Sequence, residues 1–241
     1  MTENPSTVRR EARAPSVGAV INASRGGAAS APVEKCCRPA AKPLQRSVKN
    51  VLDFVGALVG LALLSPLLIL LALCIKLDDG GPVFYRRRVV GRKGEFNAFK
   101  FRTMRPDADA ILAADPALRA KFETDYKLQD DPRITRVGAL LRKYSLDELP
   151  QLLNVLMGQM SLVGPRMVTA AELQKYGEFR DLLLRVKPGL SGYWQVNGRQ
   201  SVSYAERVKM DVYYLEHWSL LLDLEILLKT PAKVVRAEGA Y

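Results

Sequence analysis

Apolar and polar residues are mixed along most of this chain, but from Phe54 to Ile75 the mixture stops and no charged side chain occurs. About 22 apolar residues suffice to cross a bilayer as one helix. Ser65-Pro66 interrupts the run near its middle, and an interior proline removes one backbone hydrogen bond and kinks a helix. The run therefore predicts either a kinked span or a re-entrant hairpin, whose limbs are each too short to cross the ~30 Å hydrocarbon core and so return to one face. The flanking charges separate these two. Lys35, Arg38, Lys42, Arg46 and Lys49 precede the run, and Lys76, Arg86, Arg87, Arg88, Arg92 and Lys93 follow it. A single span would put one basic cluster on the disfavoured side of the membrane. A hairpin broken at Ser65 and Pro66 is expected over residues 45–77.

The pattern on either side is that of water-exposed protein. Residues 1–44, rich in Ala, Ser, Pro, Arg and Gly without apolar periodicity, read as a disordered basic tail. Lys49 and Asp53, four apart, form a pair at the helix entrance. After the turn Asp78–Pro82, Val83–Val90 and Phe96–Met104 flank Gly91-Arg92-Lys93-Gly94 as a β-hairpin. Its second arm sets Lys100 and Arg102 on one face and Phe99 and Phe101 on the other. Pro106–Tyr126 and Ile134–Tyr144 have helical patterns, with a break at Asp130-Asp131-Pro132. A helix opening near Ser145 should stop at Gly158. Met160–Met167 reads as a short strand or turn presenting Arg166, and Thr169–Val186 as a helix. Pro188–Arg199 is a loop mixing glycines, aromatics and a terminal arginine. Ser203 with Glu206 forms a capping box for a helix to His217, and a leucine-rich helix runs from Ser219 to Lys229 before Pro231, either on the membrane surface or against the domain. The fold class expected is α+β, mostly helical, with the membrane hairpin joined to a small cytoplasmic domain over residues 78–241.

Charge and composition narrow the chemistry. The net charge of +11 fits nucleic acid, anionic lipid or a phosphorylated substrate. With a membrane segment present and no base-reading signature, phosphates and lipid headgroups take precedence and no nucleic-acid partner is expected. Cys36, Cys37 and Cys74 are too few and too placed in tail and apolar run to build a disulfide framework or zinc site. A triad or His-metal cluster would rest on His217 alone.

The adjacent acids Asp147 and Glu148 have two readings. Ser145 and Glu148 match a capping box, although Pro150 would then fall inside the helix; with Asp147 as the cap, Pro150 is harmless. Equally, an ionised carboxylate beside a phosphate-binding surface is a candidate for chemistry.

From Ser47 to Tyr241 the chain resembles the bacterial sugar transferases, the monotopic polyprenyl-phosphate phosphoglycosyl transferases that begin exopolysaccharide or O-antigen assembly. The resemblance runs through Gly81–Phe84, Lys100–Met104, Asp131–Gly138, Ser145–Leu152, Ser161–Arg166 and, within Pro188–Arg199, Pro-Gly-Leu-Ser-Gly and Gln-Val-Asn-Gly-Arg. It implies a bacterial inner-membrane enzyme with its catalytic domain on the cytoplasmic face. Such an enzyme moves hexose-1-phosphate from a UDP-hexose, glucose or galactose being the sugars expected, to undecaprenyl phosphate and releases UMP. It further implies that Asp147 is the nucleophile and holds the sugar-phosphate covalently, and that Glu148 is associated with Mg²⁺. Lys100, Arg102, Arg133, Arg142, Arg166, Pro188 and Arg199 fall at substrate-binding positions. Membrane lipid is a further partner, with a homo-oligomer or other polysaccharide assembly enzymes consistent with the pattern. Some positions depart from the family: Asn50 replaces a frequent Arg, Arg87 and Val89 stand where Gln and Arg are usual, with Arg88 the candidate to cover for Val89, and Met167 replaces a usual Pro. Two rivals are a metal-dependent glycosyltransferase using Asp107-Ala108-Asp109, and an inactive membrane scaffold of a polysaccharide assembly complex.

Overall fold

A computed structural model describes residues 43–125, 128, 131–198 and 202–235. The expected tail lies outside them except for its last two positions, which already open helix α1 (Pro43–Asp79). Proline at a first helical position loses no hydrogen bond. The helix continues through Ser65-Pro66, where the sequence predicted a break. Pro66 has no N–H for the carbonyl of Ala62, four residues back; the Ser65 hydroxyl donates to that oxygen instead, at 2.8 Å. A polar group that lipid would leave unpaired is thus satisfied within the helix. Only 11 % of its most apolar window is buried, which separates α1 from the core helix of a soluble protein.

One stripe of α1 lies along the rest of the protein. Ala57, Leu61 and Leu64 pack with Leu152 and Val155, and Leu67, Leu68, Leu71 and Ile75 with Phe101, Leu141 and Leu146. Polar ties hold both ends. Lys49 reaches Asp223 at 2.5 Å and the Val163 carbonyl at 3.1 Å, while its expected partner Asp53 is 3.8 Å away and instead accepts from Ser161 Oγ and Leu162 N, each at 3.0 Å. At the other end, Asp79 is gripped by Arg102.

Strands β1 (Phe84–Gly91) and β2 (Gly94–Phe101) pair antiparallel around Arg92-Lys93, with Gly91 opposite Gly94 and Tyr85 opposite Lys100. The face that carries Lys100 turns inward. Phe96 and Ala98 are buried in the core on the side that ends in Lys100, and Val89 is 1 % exposed among them. Val89 is therefore a core position, and Arg88 cannot cover for it: Arg88 stands in solvent, paired with Glu95 at 2.9 Å. Arg87 pairs with Glu172, and Asn50 accepts from Lys187 at 2.9 Å.

The helical stretch expected over Pro106–Tyr126 is two helices, α2 (Ala108–Ala114) and α3 (Pro116–Asp125). Asp115, extended because proline follows it, separates them and accepts from Leu118 N. Helix α4 (Arg136–Lys143) is capped by Thr135 and presses close on the end of β2, since a Cβ at Gly138 would come within 2.1 Å of the Thr103 oxygen. The segment from Ser145 departs most from expectation. Residues Leu146–Gln151 form a 3₁₀ turn and only Leu152–Leu156 (α5) is α-helical; Ser145 has φ 52° and neither it nor Asp147 caps a helix. The stop at Gly158, with φ 71°, is as expected.

Strand β3 (Ser161–Val163) pairs in parallel with β4 (Gly189–Ser191). The helix expected between them is α6 (Ala170–Leu173), a 3₁₀ segment and α7 (Arg180–Leu184), divided at Gly177, whose φ of 54° and ψ of −124° no helix contains. Helix α8 (Tyr193–Asn197) lies inside the expected loop. Helix α9 (Tyr204–Glu216) opens on the expected Ser203–Glu206 capping box, and α10 (Leu220–Val235) runs on through Pro231.

Asn154 on α5 joins this helical part to the hairpin. Fully buried, it accepts from Phe99 N at 2.9 Å and donates to the Asn97 oxygen and to Gln159 Oε1, each at 2.8 Å. Asn154→Leu should destabilise the fold by about 1–3 kcal/mol for each buried group left unpaired, read as a fall in melting temperature; a melting temperature equal to the wild type would show that β2 does not depend on this amide.

Candidate active site

The 3₁₀ turn sets two adjacent carboxylates into the protein rather than along a helix surface. Asp147 is 8 % exposed and Glu148 9 %. Leu146, just before them, packs on α1, so the acids sit beside that long apolar helix. Lys100, on the last turn of pleat in β2, donates to Glu148 Oε1 at 2.7 Å and to Asp147 Oδ2 at 3.3 Å. Arg166, three residues beyond β3, donates to Glu148 Oε1 at 2.8 Å and stands 3.5 Å from Oε2. Asp147 Oδ1 accepts no hydrogen bond from any described residue.

The two acids are held differently. Burial pushes the Asp147 carboxyl above its ordinary range; Lys100 opposes this and the neighbouring Glu148 charge adds to it. Burial also acts on Glu148, but Arg166 and Lys100 outweigh it and hold that carboxyl down to about 2. Glu148 is thus the fixed anion of the pair, and Asp147 the one whose charge responds to its surroundings.

The expected phosphate-binding residues divide into two groups. Lys100 and Arg166 meet at the acids, and Arg142, held by Thr103 Oγ1 at 2.9 Å, lies within electrostatic reach of Asp147. Arg102 and Arg133 are turned elsewhere. Arg102 binds Asp79 and the Pro82 and Met104 carbonyls, and Arg133 forms a two-pronged pair with Asp131 at 2.8 and 2.7 Å. Each is a buried, internally satisfied fastener. The Pro188 carbonyl accepts from Ser161 N at 2.9 Å, and its ring lines a small apolar cleft with Val90, Val168 and Arg166. Arg199 lies outside the described residues.

Asp107 pairs with exposed Arg105 at 3.0 Å, and no group of three metal-ligating side chains occurs among the described residues. The acid pair nevertheless offers hard oxygen ligands of the kind Mg²⁺ takes, which needs only one or two carboxylates when substrate phosphates complete its shell. Glu148 Oε2, with only the 3.5 Å contact to Arg166, is the available oxygen.

Two residues not assigned from the sequence border this site. Trp194 carries the Arg166 guanidinium over its ring, with Cζ 5.9 Å from the centroid. Asp211, with no exposed surface, accepts from Tyr176 Oη at 2.8 Å, and burial raises its carboxyl to about 7 despite that bond and the Arg166 charge. Nothing in the helical pattern around Asp211 marks it as buried. Its folded form holds a proton that the unfolded chain gives up near pH 4, so stability should fall as pH rises from about 4 to 7, by an amount on the order of a few kcal/mol. Asp211→Asn should flatten that slope, measured as the difference in melting temperature between pH 5 and pH 8; an unchanged slope would assign it to other groups.

Comparison with known proteins gives the following. The family model described as bacterial sugar transferase matches residues 44–237. The chain is 46 % identical over 207 residues to the exopolysaccharide production protein ExoY of Sinorhizobium fredii, a match covering 84 % of this chain and 92 % of that protein. It is 47 % identical over 206 residues to the undecaprenyl-phosphate galactose phosphotransferase of Salmonella typhimurium, covering 83 % of this chain and 43 % of that protein. A UDP-glucose:undecaprenyl-phosphate glucose-1-phosphate transferase of Xanthomonas campestris pv. campestris is 38 % identical over 202 residues, covering 80 % and 40 %. The match fills nearly all of ExoY and less than half of the other two.

Proposed function

This chain belongs to the bacterial sugar transferase family, and we propose that it transfers hexose-1-phosphate from a UDP-hexose to undecaprenyl phosphate through a covalent intermediate on Asp147. The observation that carries this reading is the unequal acid pair: a fixed anion, Glu148, flanked by Lys100 and Arg166, beside a carboxylate with one oxygen free of hydrogen bonds. Relatives named for galactose and glucose transfer make these two the donors to test.

Asp147 Oδ1 attacks the phosphorus that bears the sugar. The bond from that phosphorus to the bridging oxygen breaks, and UMP leaves with the electron pair. An oxygen of the lipid phosphate then attacks the same phosphorus, the acyl-phosphate bond breaks, and the Asp147 carboxylate is regenerated. Lys100 and Arg166 offset charge on the phosphoryl oxygens, the preorganised stabilisation on which phosphoryl transfer depends. Glu148 would hold Mg²⁺, which supplies Lewis-acid neutralisation of the diphosphate.

The membrane placement follows the same reading. Lys49 and Asp79, near opposite ends of the unbroken helix α1, are tied to one and the same domain, which supports both ends lying on one face, the cytoplasmic face of the inner membrane, with α1 laid along that domain. Helix α10 supports it too, turning Asp223 and Ile226 inward and Leu221, Leu224 and Leu228 outward.

Incubating the detergent-extracted protein with UDP-[³H]glucose or UDP-[³H]galactose, Mg²⁺ and undecaprenyl phosphate should yield UMP and a diphosphate-linked lipid. Release of UDP would overturn the reaction class. A second expectation concerns acidity. Lys100 lowers the Asp147 pKa, and protonated Asp147 cannot attack, so Lys100→Met should move the acid limb of the kcat/KM profile to higher pH as well as lowering kcat. An acid limb left in place would remove Asp147 from the rate-determining ionisation.

A further inference from the structure

Trp194 carries a second guanidinium besides that of Arg166. Arg207, on the first turn of α9, has its Cζ 4.7 Å from the same ring centroid, so the two arginines are no farther apart than the sum of their distances to that ring. They are not equivalent. The charge of Arg166 is answered by Glu148 at 2.8 Å. The Arg207 side chain makes no ion pair or hydrogen bond among the described residues, and its Nε is buried without an acceptor. Gln195 Oε1, on the residue after Trp194, is buried without a donor.

A buried donor left unpaired costs about 1–3 kcal/mol, and more when it is charged. Stacking on an indole uses the face of a guanidinium and leaves its in-plane N–H groups free for a phosphate or carboxylate. Lys100 and Arg166 already face the acids, where the phosphorus under attack must lie. Arg207 shares the Trp194 ring with Arg166, the cation that contacts Glu148. The acceptor lipid also carries a phosphate, but the neighbour of the Arg207 guanidinium is the Trp194 ring. A planar ring beside a cation suits a nucleotide better than a polyprenyl chain.

We infer that Arg207, stacked on Trp194, binds a phosphate oxygen of the nucleotide half of the donor and so holds the leaving nucleoside monophosphate. This rests on the reading of the chain as a UDP-sugar phosphotransferase.

The test uses the full chain in detergent, with UDP as the probe in isothermal titration calorimetry, and separate KM values for UDP-sugar and undecaprenyl phosphate. Arg207→Gln should weaken UDP binding about 10–100-fold, the range of a hydrogen bond to a charged group. It should raise the KM for UDP-sugar and leave the KM for undecaprenyl phosphate within about 2-fold. Arg207→Lys, which restores the charge without the fork, should recover part of the affinity and part of its dependence on salt. A merely structural role would instead lower the melting temperature without nucleotide and spare UDP affinity in the folded fraction. If Arg207→Gln does not fold, Arg207→Met, whose stem can pack on the ring, takes its place. UDP affinity equal to the wild type in a folded neutral variant overturns the inference, as does a rise confined to the KM for undecaprenyl phosphate; in both cases the proposed function stands. Failure of the wild type to bind UDP overturns both.

Discussion

Asp147→Asn should reduce sugar-phosphate transfer by about 10⁴-fold or more, the scale seen when a covalent nucleophile is removed, while leaving the protein folded. The change preserves shape and leaves an oxygen for Lys100, which donates to Asp147 at only 3.3 Å and has its shorter bond, 2.7 Å, to Glu148. It also removes a carboxylate that burial holds above its ordinary pKa, so ionised Asp147 opposes folding at neutral pH. The melting temperature of the variant should therefore equal or exceed that of the wild type. UMP release and thermal melting check the two halves separately. Activity within about 100-fold of the wild type would exclude the covalent route and favour direct attack by the lipid phosphate.

Glu148→Gln should behave in the opposite way, losing stability as well as activity. Its carboxylate lies between Lys100 at 2.7 Å and Arg166 at 2.8 Å and is 9 % exposed. Neutralising it leaves Arg166 without its anion and Lys100 with only the 3.3 Å contact to Asp147, and breaking a buried pair typically costs about 3–5 kcal/mol. For a chain of this size that corresponds to a fall of about 10 °C in melting temperature. The sign of the pH dependence agrees. A folded pKa of about 2, against an ordinary value of 4.5, is stability present above the ordinary value and lost as pH falls toward the folded one. The stability difference between the wild type and Glu148→Gln should thus be full at neutral pH and shrink as pH falls from about 4.5 toward about 2. Turnover should fall about 10²–10³-fold, because the cations that face the phosphate lose their orientation. A melting temperature within 2–4 °C of the wild type, about 1 kcal/mol, would mean that Arg166 and Lys100 find other partners.

Local signals were readable wherever one short segment supplies both halves of an interaction. Ser203 with Glu206, the Gly158 stop and a hairpin turning within Gly91–Gly94 are of this kind. The 3₁₀ turn at Leu146–Gln151 was not, because Ser145–Glu148 mimics a capping box and only the left-handed φ at Ser145 turns the acids inward. The parallel pairing of β3 with β4 joins three-residue strands 28 positions apart at Ser161 and Gly189, too short for any periodicity. For the site, the acid pair singled out in Ser145–Leu152 lies buried, with Lys100 and Arg166 gathered on Glu148. Which arginines face it was not legible, since Arg102 and Arg166 differ only in whether Asp79 or Glu148 lies within reach. Arg133 is tied within its own segment. Its partner Asp131 stands two residues away, and the pair could have been read from Asp-Pro-Arg itself.

Asn154 has a consequence for how freely this protein can be altered. An isolated hairpin takes its register from its turn, so an insertion there slides every side chain to the opposite face. Here the Asn154 amide grips Phe99 N and the Asn97 oxygen much as a third strand would, and it grips β2 close to Lys100. The Arg92-Lys93 tip is thereby released from specifying where Lys100 points. An epitope or fluorophore-accepting loop grafted between Gly91 and Gly94 would leave Lys100 in place beside the acids, and this tip is the natural position for a reporter on the folded protein.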